Sequence, residues 1–365
     1  MDGRDDAPSG GAVRRPTVAG AAPGDTWLER RTGLGTLSGA LLHVRIPIEA
    51  RTWYLGGITL FLFGIQVATG TLLALYYKAT PDGAYDSVKF ITSGVTFGWL
   101  IRSIHHWGAN LMIICMVLHL IRIFWQGAYK HRREVVWLVG AGLLVVTIGF
   151  GFTGYLLPWD QRAFWATTVG TEIAGSVPIV GDWLLNLLRG GADVTEATLG
   201  RFFGMHVLVL PLLLGALIAA HLTIVHHLGL ANPKKAEPYG PEPGGRLKPF
   251  FPNYVLDEVI AWYAVLAILV ILASVLPAGL DDKANTLETP AHIKPEWYFL
   301  PVYELLKLVP RVVGIVLPGI ALGILALLPF LDRNPAVRPR KRPIALGIGF
   351  VTLAAMVVLT ITGAN

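Results

Sequence analysis

"RSIHHWGANLMIICMVLHLIR", residues 102–122, decides how the rest of the chain is read. From Trp107 to Leu118 the stretch is uncharged and rich in Leu, Ile and Met, which reads as helix buried in lipid. Yet Arg102 and His105 bracket it at one end, and His119 and Arg122 at the other. Ionisable groups inside a membrane helix are costly and mark function. The helix must hold something twice.

The composition around it agrees with a membrane setting. Hydrophobic residues make up 53% of the 365-residue chain and charged residues 15%, against about a quarter charged in soluble domains. Mean hydropathy is +0.56. Apolar runs near the ~20 residues of a bilayer span recur at 54–77, 104–126, 135–157, 203–229, 256–277, 312–331 and 343–362. They predict an all-α membrane protein with seven transmembrane helices.

Charge orients them by the positive-inside rule. Arg14, Arg15, Arg30, Arg31, Arg45 and Arg51 precede the first span, and Lys130, Arg132 and Arg133 follow the second. Lys234, Lys235, Arg246 and Lys248, then Arg333, Arg338, Arg340, Lys341 and Arg342, fall on the same side. The opposite loops mix their signs. The N-terminus is therefore expected in the cytoplasm and the C-terminus across the membrane. The +6 net charge lies mostly on this one face and needs no nucleic-acid partner.

Residues 1–40 read as a disordered tail without a cleavable signal, and 41–229 as a four-helix block. Residues 230–254, Pro- and Gly-rich and polar, read as a linker, and 255–365 as a three-helix block. Residues 158–202 are amphipathic and predict short surface helices. Residues 278–311 read as a long outer loop. Cys115, the single cysteine, excludes an intrachain disulfide and reads as packing.

His105 and His119 are 14 residues apart, so at about 100° and 1.5 Å per residue they share a helix face ~21 Å apart. In "FFGMHVLVLPLLLGALIAAHLTIVHH" (202–227), His206 and His221 are 15 apart, within about 60° of one face. The two spans run in the same direction. His105 therefore matches His206 in depth and His119 matches His221. Two facing imidazole pairs at two depths suit the axial ligation of two haems; hydrogen bonding between helices is the rival account. Gly56 and Gly70 in the first span, and Gly140 and Gly154 in the third, repeat the 14-residue interval. A missing Cβ admits a flat ligand or a neighbouring backbone, with small-residue helix packing as the alternative. Arg102 and Arg122 each stand one turn outside a histidine. There they suit haem propionates in a two-bond fork, or simple snorkelling.

With these residues in place the sequence resembles cytochrome b of the bc-type complexes, the quinol–cytochrome c (or plastocyanin) oxidoreductases, over about residues 40–362. The histidine set, "GYLLPWDQRAFWATTV" (154–169) and "PEWYFLPVYELLK" (295–307) carry the resemblance. It implies a low-potential haem b on His105 and His206 near the outer face, and a high-potential haem b on His119 and His221 near the cytoplasm. Glu296 would accept a proton at an outer quinol-oxidation site, with Tyr298 nearby and Tyr155 and residues 158–170 lining it. His226, with Glu258 and Asp257 as the acids, would serve an inner quinone site.

The chain departs from the family in two ways. Seven spans, where respiratory relatives have eight, and the 15-residue spacing look like the photosynthetic split form with its three-helix subunit IV fused at the linker. Those relatives attach a further haem through a Cys just before "LGGITL", where this chain has Tyr54. A covalent third haem is therefore not expected.

The resemblance implies a Q cycle in an energy-transducing, bacterial-type cell membrane. Quinol oxidation outside would send one electron to a Rieske iron–sulfur protein and one through both haems to the inner quinone, with proton translocation. The sequence has no iron–sulfur cluster motif and no C-x-x-C-H. The Rieske protein and a c-type cytochrome subunit are then expected as separate chains in lipid, within a homodimeric complex. A di-haem membrane anchor of a dehydrogenase with one quinone site would explain the histidines but not PEWY. A transporter with a midplane site would explain neither.

Overall fold

A computed structural model describes residues 45–47, 54–228, 247–291 and 293–365. The expected 1–40 tail and residues 230–246 of the linker lie outside the described residues. Among the described residues seven helices are long and apolar enough to cross a membrane: α1 (Leu55–Ala74), α3 (Gly98–Trp125), α4 (Glu134–Tyr155), α7 (Glu196–Leu228), α8 (Val255–Val275), α10 (Arg311–Leu331) and α11 (Pro343–Ala364). The expected spans fall on these seven. The largest differences are early starts, at Gly98 and Glu196, because helical hydrogen bonding continues through flanking polar turns that hydropathy does not count.

Four shorter α-helices join the spans among the described residues: α2 (Pro81–Gly94), α5 (Gln161–Gly175), α6 (Gly181–Arg189) and α9 (Leu300–Leu308). Local chemistry starts them. Thr80 accepts from Gly83 N–H at 3.2 Å ahead of Pro81 in α2, and Asp160 accepts from Ala163 N–H at 2.9 Å to cap α5; an oxygen at this position satisfies an otherwise orphaned helix donor. The 158–202 stretch is thus helical as expected. The loop expectation for 278–311 needs correction at its end. Residues 300–308 form α9, which packs on α10 and α11, and this tertiary contact makes a helix of a short segment with little stability of its own.

The linker expectation is also revised for 247–254. Leu247–Pro249 (β2) pairs antiparallel with Arg45–Pro47 (β1), Arg45 opposite Pro249. Phe250–Tyr254, kinked at the extended Phe251, then leads into α8.

The central core takes Leu62 from α1, Met112 from α3, Leu143 and Val146 from α4, Leu214 from α7 and Leu269 from α8. Met112 lies midway between His105 and His119 in sequence. A packed apolar layer therefore separates the two histidine levels. At the His119 end, two loops are clasped together. Asp332, just beyond α10, pairs with Lys130 at 2.8 Å and Arg342 at 3.3 Å, and accepts from Tyr129. Arg342 is 1% exposed. Burial alone would push the Asp332 carboxyl up, but the bonds from Lys130 and Tyr129 hold it below the usual carboxylate range.

Candidate haem and quinol site

The structure brings His105 and His206 together, with ring centroids 6.2 Å apart. Two imidazoles sharing one iron, at about 2 Å per metal–nitrogen bond, would stand near that separation. The pair fits the group. His119 and His221 likewise lie near each other.

Each ring rests against one of the four glycines. A Cβ on Gly70 would stand 3.1 Å from His105 Cε1, and one on Gly154 2.5 Å from His206 Cε1. The corresponding distances are 3.4 Å for Gly56 to His119 and 3.6 Å for Gly140 to His221. The expectation that these glycines make room for flat macrocycles is refined, since their immediate neighbours are the imidazoles.

The next shell of contacts was not read from the sequence. Thr69 Oγ1 lies 2.9 Å from His105 Nδ1, and Thr153 Oγ1 3.2 Å from His206 Nδ1. Metal-ligating histidines are oriented by such bonds on the other ring nitrogen. The sequence signal was a repeated Thr-Gly pair, 69–70 and 153–154. Neither Gly56 nor Gly140 follows a threonine, and Nδ1 of His119 has no partner among the described residues.

The odd spacing in α7 also has a local cause. Met205–Val209 form a π-helical turn, in which Leu210 N–H reaches back five residues to Met205 O. Pro211 lacks an N–H, and its ring clashes with the carbonyl four residues before it, which drives the wider turn. A π turn absorbs one extra residue, so a 15-residue interval does the work of 14. Pro211 was the overlooked signal.

At the same end as His105, two distant segments meet. Gln161 N–H donates to Asp282 O at 2.8 Å, Asn285 N–H to Gln161 Oε1 at 2.7 Å, and Trp165 Nε1 to Asn285 O at 3.2 Å. Trp159, almost fully buried, carries a left-handed φ of 51° at the bend. Such strain persists only where the surroundings impose it. PEWY then folds onto α4. A Cβ on Gly151 would stand 2.7 Å from Tyr298 Oη, and Phe299 meets Phe152 edge-on at 6.0 Å. Glu296 is half-buried; burial pushes its carboxyl up and Arg162 pulls partly back. Glu296, Arg162, Asp160 and Tyr298 all lie within electrostatic reach of Tyr155. Tyr155 Oη is buried with no hydrogen-bond partner among the described residues, and a buried polar atom of that kind calls for a ligand or water.

The remaining expected residues are placed as follows. Arg102 Nη1 donates to Ala278 O at 2.8 Å and Nη2 to Gly279 O, so these atoms hold a backbone turn. Arg122 lies near Tyr254. Tyr54 Oη donates to Asp257 at 3.1 Å, and its ring lies 5.6 Å from Tyr254; Asp257 also pairs with Lys248. Glu258 bonds Tyr254 and overhangs Gly57. His226 sits in the last turn of α7, 6.0 Å from His227 between ring centroids.

Fold and site together define a polytopic helical membrane protein with two stacked histidine levels and an acid–tyrosine pocket at one end. Family models agree: "Cytochrome b/b6/petB" matches residues 43–229 and "Cytochrome b(C-terminal)/b6/petD" residues 283–365. The chain is 40% identical to a cytochrome bc complex cytochrome b subunit of Chlorobaculum thiosulfatiphilum, over 95% of this chain and 81% of that one. It is 43% identical to cytochrome b6 of Heliobacterium mobile, over 57% of this chain and 99% of that one. A solved hyperthermophilic respiratory Complex III chain superposes with a TM-score of 0.85 at 35% identity, covering 93% of this chain and 91% of that one. The chain belongs to the cytochrome b family of bc-type complexes, and its role is that of an oxidoreductase subunit in a membrane complex.

Proposed function

We propose that this subunit oxidises quinol at an outer pocket formed by Glu296, Tyr155 and Tyr298, and reduces quinone at an inner site near His226, Glu258 and Asp257. His105 with His206 and His119 with His221 would each hold a haem b, which would supply one-electron carriers between the two sites. The observation that carries the reading is the half-buried Glu296 beside the orphaned Tyr155 hydroxyl, at the His105 end of the bundle.

The residues act by holding and moving protons. Tyr155 Oη offers a hydrogen bond to a quinol oxygen. As quinol gives up two electrons and two protons, Glu296, its proton affinity raised by burial, takes one hydroxyl proton and the other passes to water at the outer face. Tyr298, seated in the Gly151 notch, walls the pocket. At the inner face, Glu258 and Asp257 supply protons from the cytoplasm to the quinone. Arg102 and Arg122 would pair with haem propionates, Arg102 sharing its donors with the Ala278–Gly279 turn. A Rieske protein takes the first electron, a c-type cytochrome subunit follows it, and the complex works as a homodimer. The N-terminus faces the cytoplasm, and 41–229 and 255–365 are the two functional blocks.

Glu296→Gln tests the reading. It should slow quinol oxidation by about 10- to 10⁴-fold, the usual worth of a positioned acid–base group, with the haem spectrum intact. The wild-type rate should rise with pH through an apparent pKa above the ordinary carboxylate value of about 4.3, because only the ionised Glu296 accepts a proton; the Gln variant should lack that limb. Unchanged oxidation in Glu296→Gln, with haem present, sinks the catalytic assignment.

A further inference from the structure

Asn110 is a buried amide midway along α3, five residues after His105 and nine before His119. Such a group is costly in an apolar interior unless it is bonded, and both ends of this amide are. Its Nδ2 donates to His106 O, within its own helix, at 2.9 Å. Its Oδ1 accepts from Trp297 Nε1, the third letter of PEWY, at 2.6 Å. An indole nitrogen only donates, so the pairing fixes which way the amide faces.

The rest of PEWY is fastened elsewhere. Trp297 meets Tyr298 edge-on at 5.5 Å, Tyr298 sits in the Gly151 notch of α4, and Phe299 N–H closes a turn on Glu296 O at 2.8 Å. Glu296 thus directly precedes an anchor on α3, the helix that carries His105 and His119, and a second on α4. The two anchors set where its carboxylate stands.

We infer that Asn110 is a positioning residue for quinol oxidation, holding Trp297 so that Glu296 stays at a fixed place relative to the His105 end of α3. The inference rests on the quinol-oxidation reading of PEWY. Neither the histidine spacing nor the PEWY motif points to residue 110, since the bond joins positions 187 apart.

The test uses the assembled complex, with decyl-ubiquinol as donor and a soluble cytochrome c as acceptor, normalised to haem from difference spectra. Asn110→Leu removes the acceptor, Trp297→Phe removes the donor, and Asn110→Asp keeps an acceptor oxygen. Asn110→Leu should lower kcat about 10- to 100-fold, the scale of a misplacement near 1 Å. It should also move the acid limb of the pH profile down, as water reaches Glu296. Trp297→Phe should match it, the double variant should be no slower than either single one, and Asn110→Asp should recover most of the rate. A role confined to helix stability would lower haem content without moving the pH limb.

Normal kcat and an unmoved pH limb in Asn110→Leu, with haem retained, overturn the inference, as does a double variant whose loss is the product of the single losses. If Asn110→Leu does not assemble, Trp297→Phe alone decides by the same two readouts. Slow Glu296→Gln beside unaffected Asn110 and Trp297 variants sinks this inference and leaves the quinol reading standing. An unaffected Glu296→Gln sinks both.

Discussion

Gly154→Ala probes the haem level at His206 with a single methyl group. The added Cβ would stand 2.5 Å from His206 Cε1, 3.0 Å from Nδ1 and 3.2 Å from Nε2, short of ordinary 3.4 Å contact by about 0.9 Å at the nearest atom. The ring cannot swing away freely, because Thr153 Oγ1 holds its Nδ1 at 3.2 Å and the Phe150 carbonyl lies against it. Overpacking of this kind costs about 1–3 kcal/mol, a roughly 5- to 150-fold weaker hold on whatever the ring ligates. Gly140→Ala is the control. Its Cβ would meet His221 Cε1 at 3.6 Å, ordinary contact, and alanine favours the helix by up to about 1 kcal/mol. Reduced-minus-oxidised spectra of the purified complex, normalised to protein, should show b-type absorbance lost in Gly154→Ala, up to the roughly one half that one of two haem levels would carry, and none lost in Gly140→Ala. Equal loss in both variants, or none in Gly154→Ala, would refute the argument that the tightness of the glycine seat governs the ligand.

His119→Ala or His221→Ala should remove the haem at their shared level and leave the one at His105 and His206; selective loss of the other absorbance would overturn the pairing by depth. Tyr54 is engaged by Asp257 and Tyr254, so denatured chain on a gel should give no haem-linked peroxidase stain, and a stained band would contradict this. Asp332→Asn leaves Lys130 and Arg342 buried without their counter-charge, and should lower thermal stability by about 3–5 kcal/mol. Because the bonded Asp332 carboxyl is held below its usual range, its contribution is present above the unfolded value of about 3.9 and is lost only as pH falls through the lower folded one. Melting of the wild-type complex should therefore be insensitive to this group from neutral pH to about 5; equal melting of the Asp332→Asn variant would refute the clasp.

Much of the fold was legible because lipid leaves so few choices. A backbone with no water to bond must close its hydrogen bonds in a helix or a closed barrel, and apolar runs of about 20 residues fit only the helix, so seven runs became seven helices, and the 3.6-residue period put each pair of histidines on one face. Residue type alone marked PEWY, the glycines at 14-residue intervals and Tyr54. What the sequence could not supply were bonds between distant positions and the detailed winding of a helix. The π turn that reconciles 15 residues with 14 depends on how Pro211 distorts a packed span. Thr69 and Thr153 mattered only once two helices faced each other. Asn110 found Trp297 across 187 positions, and Asp332 found Lys130 and Arg342 the same way. Arg102 likewise turned to the Ala278–Gly279 carbonyls. Hydropathy and period are local properties, carried by each segment wherever it packs. Partners for buried polar atoms are settled only when the helices close on one another, because an unbonded polar group inside the bundle costs more than any local preference returns.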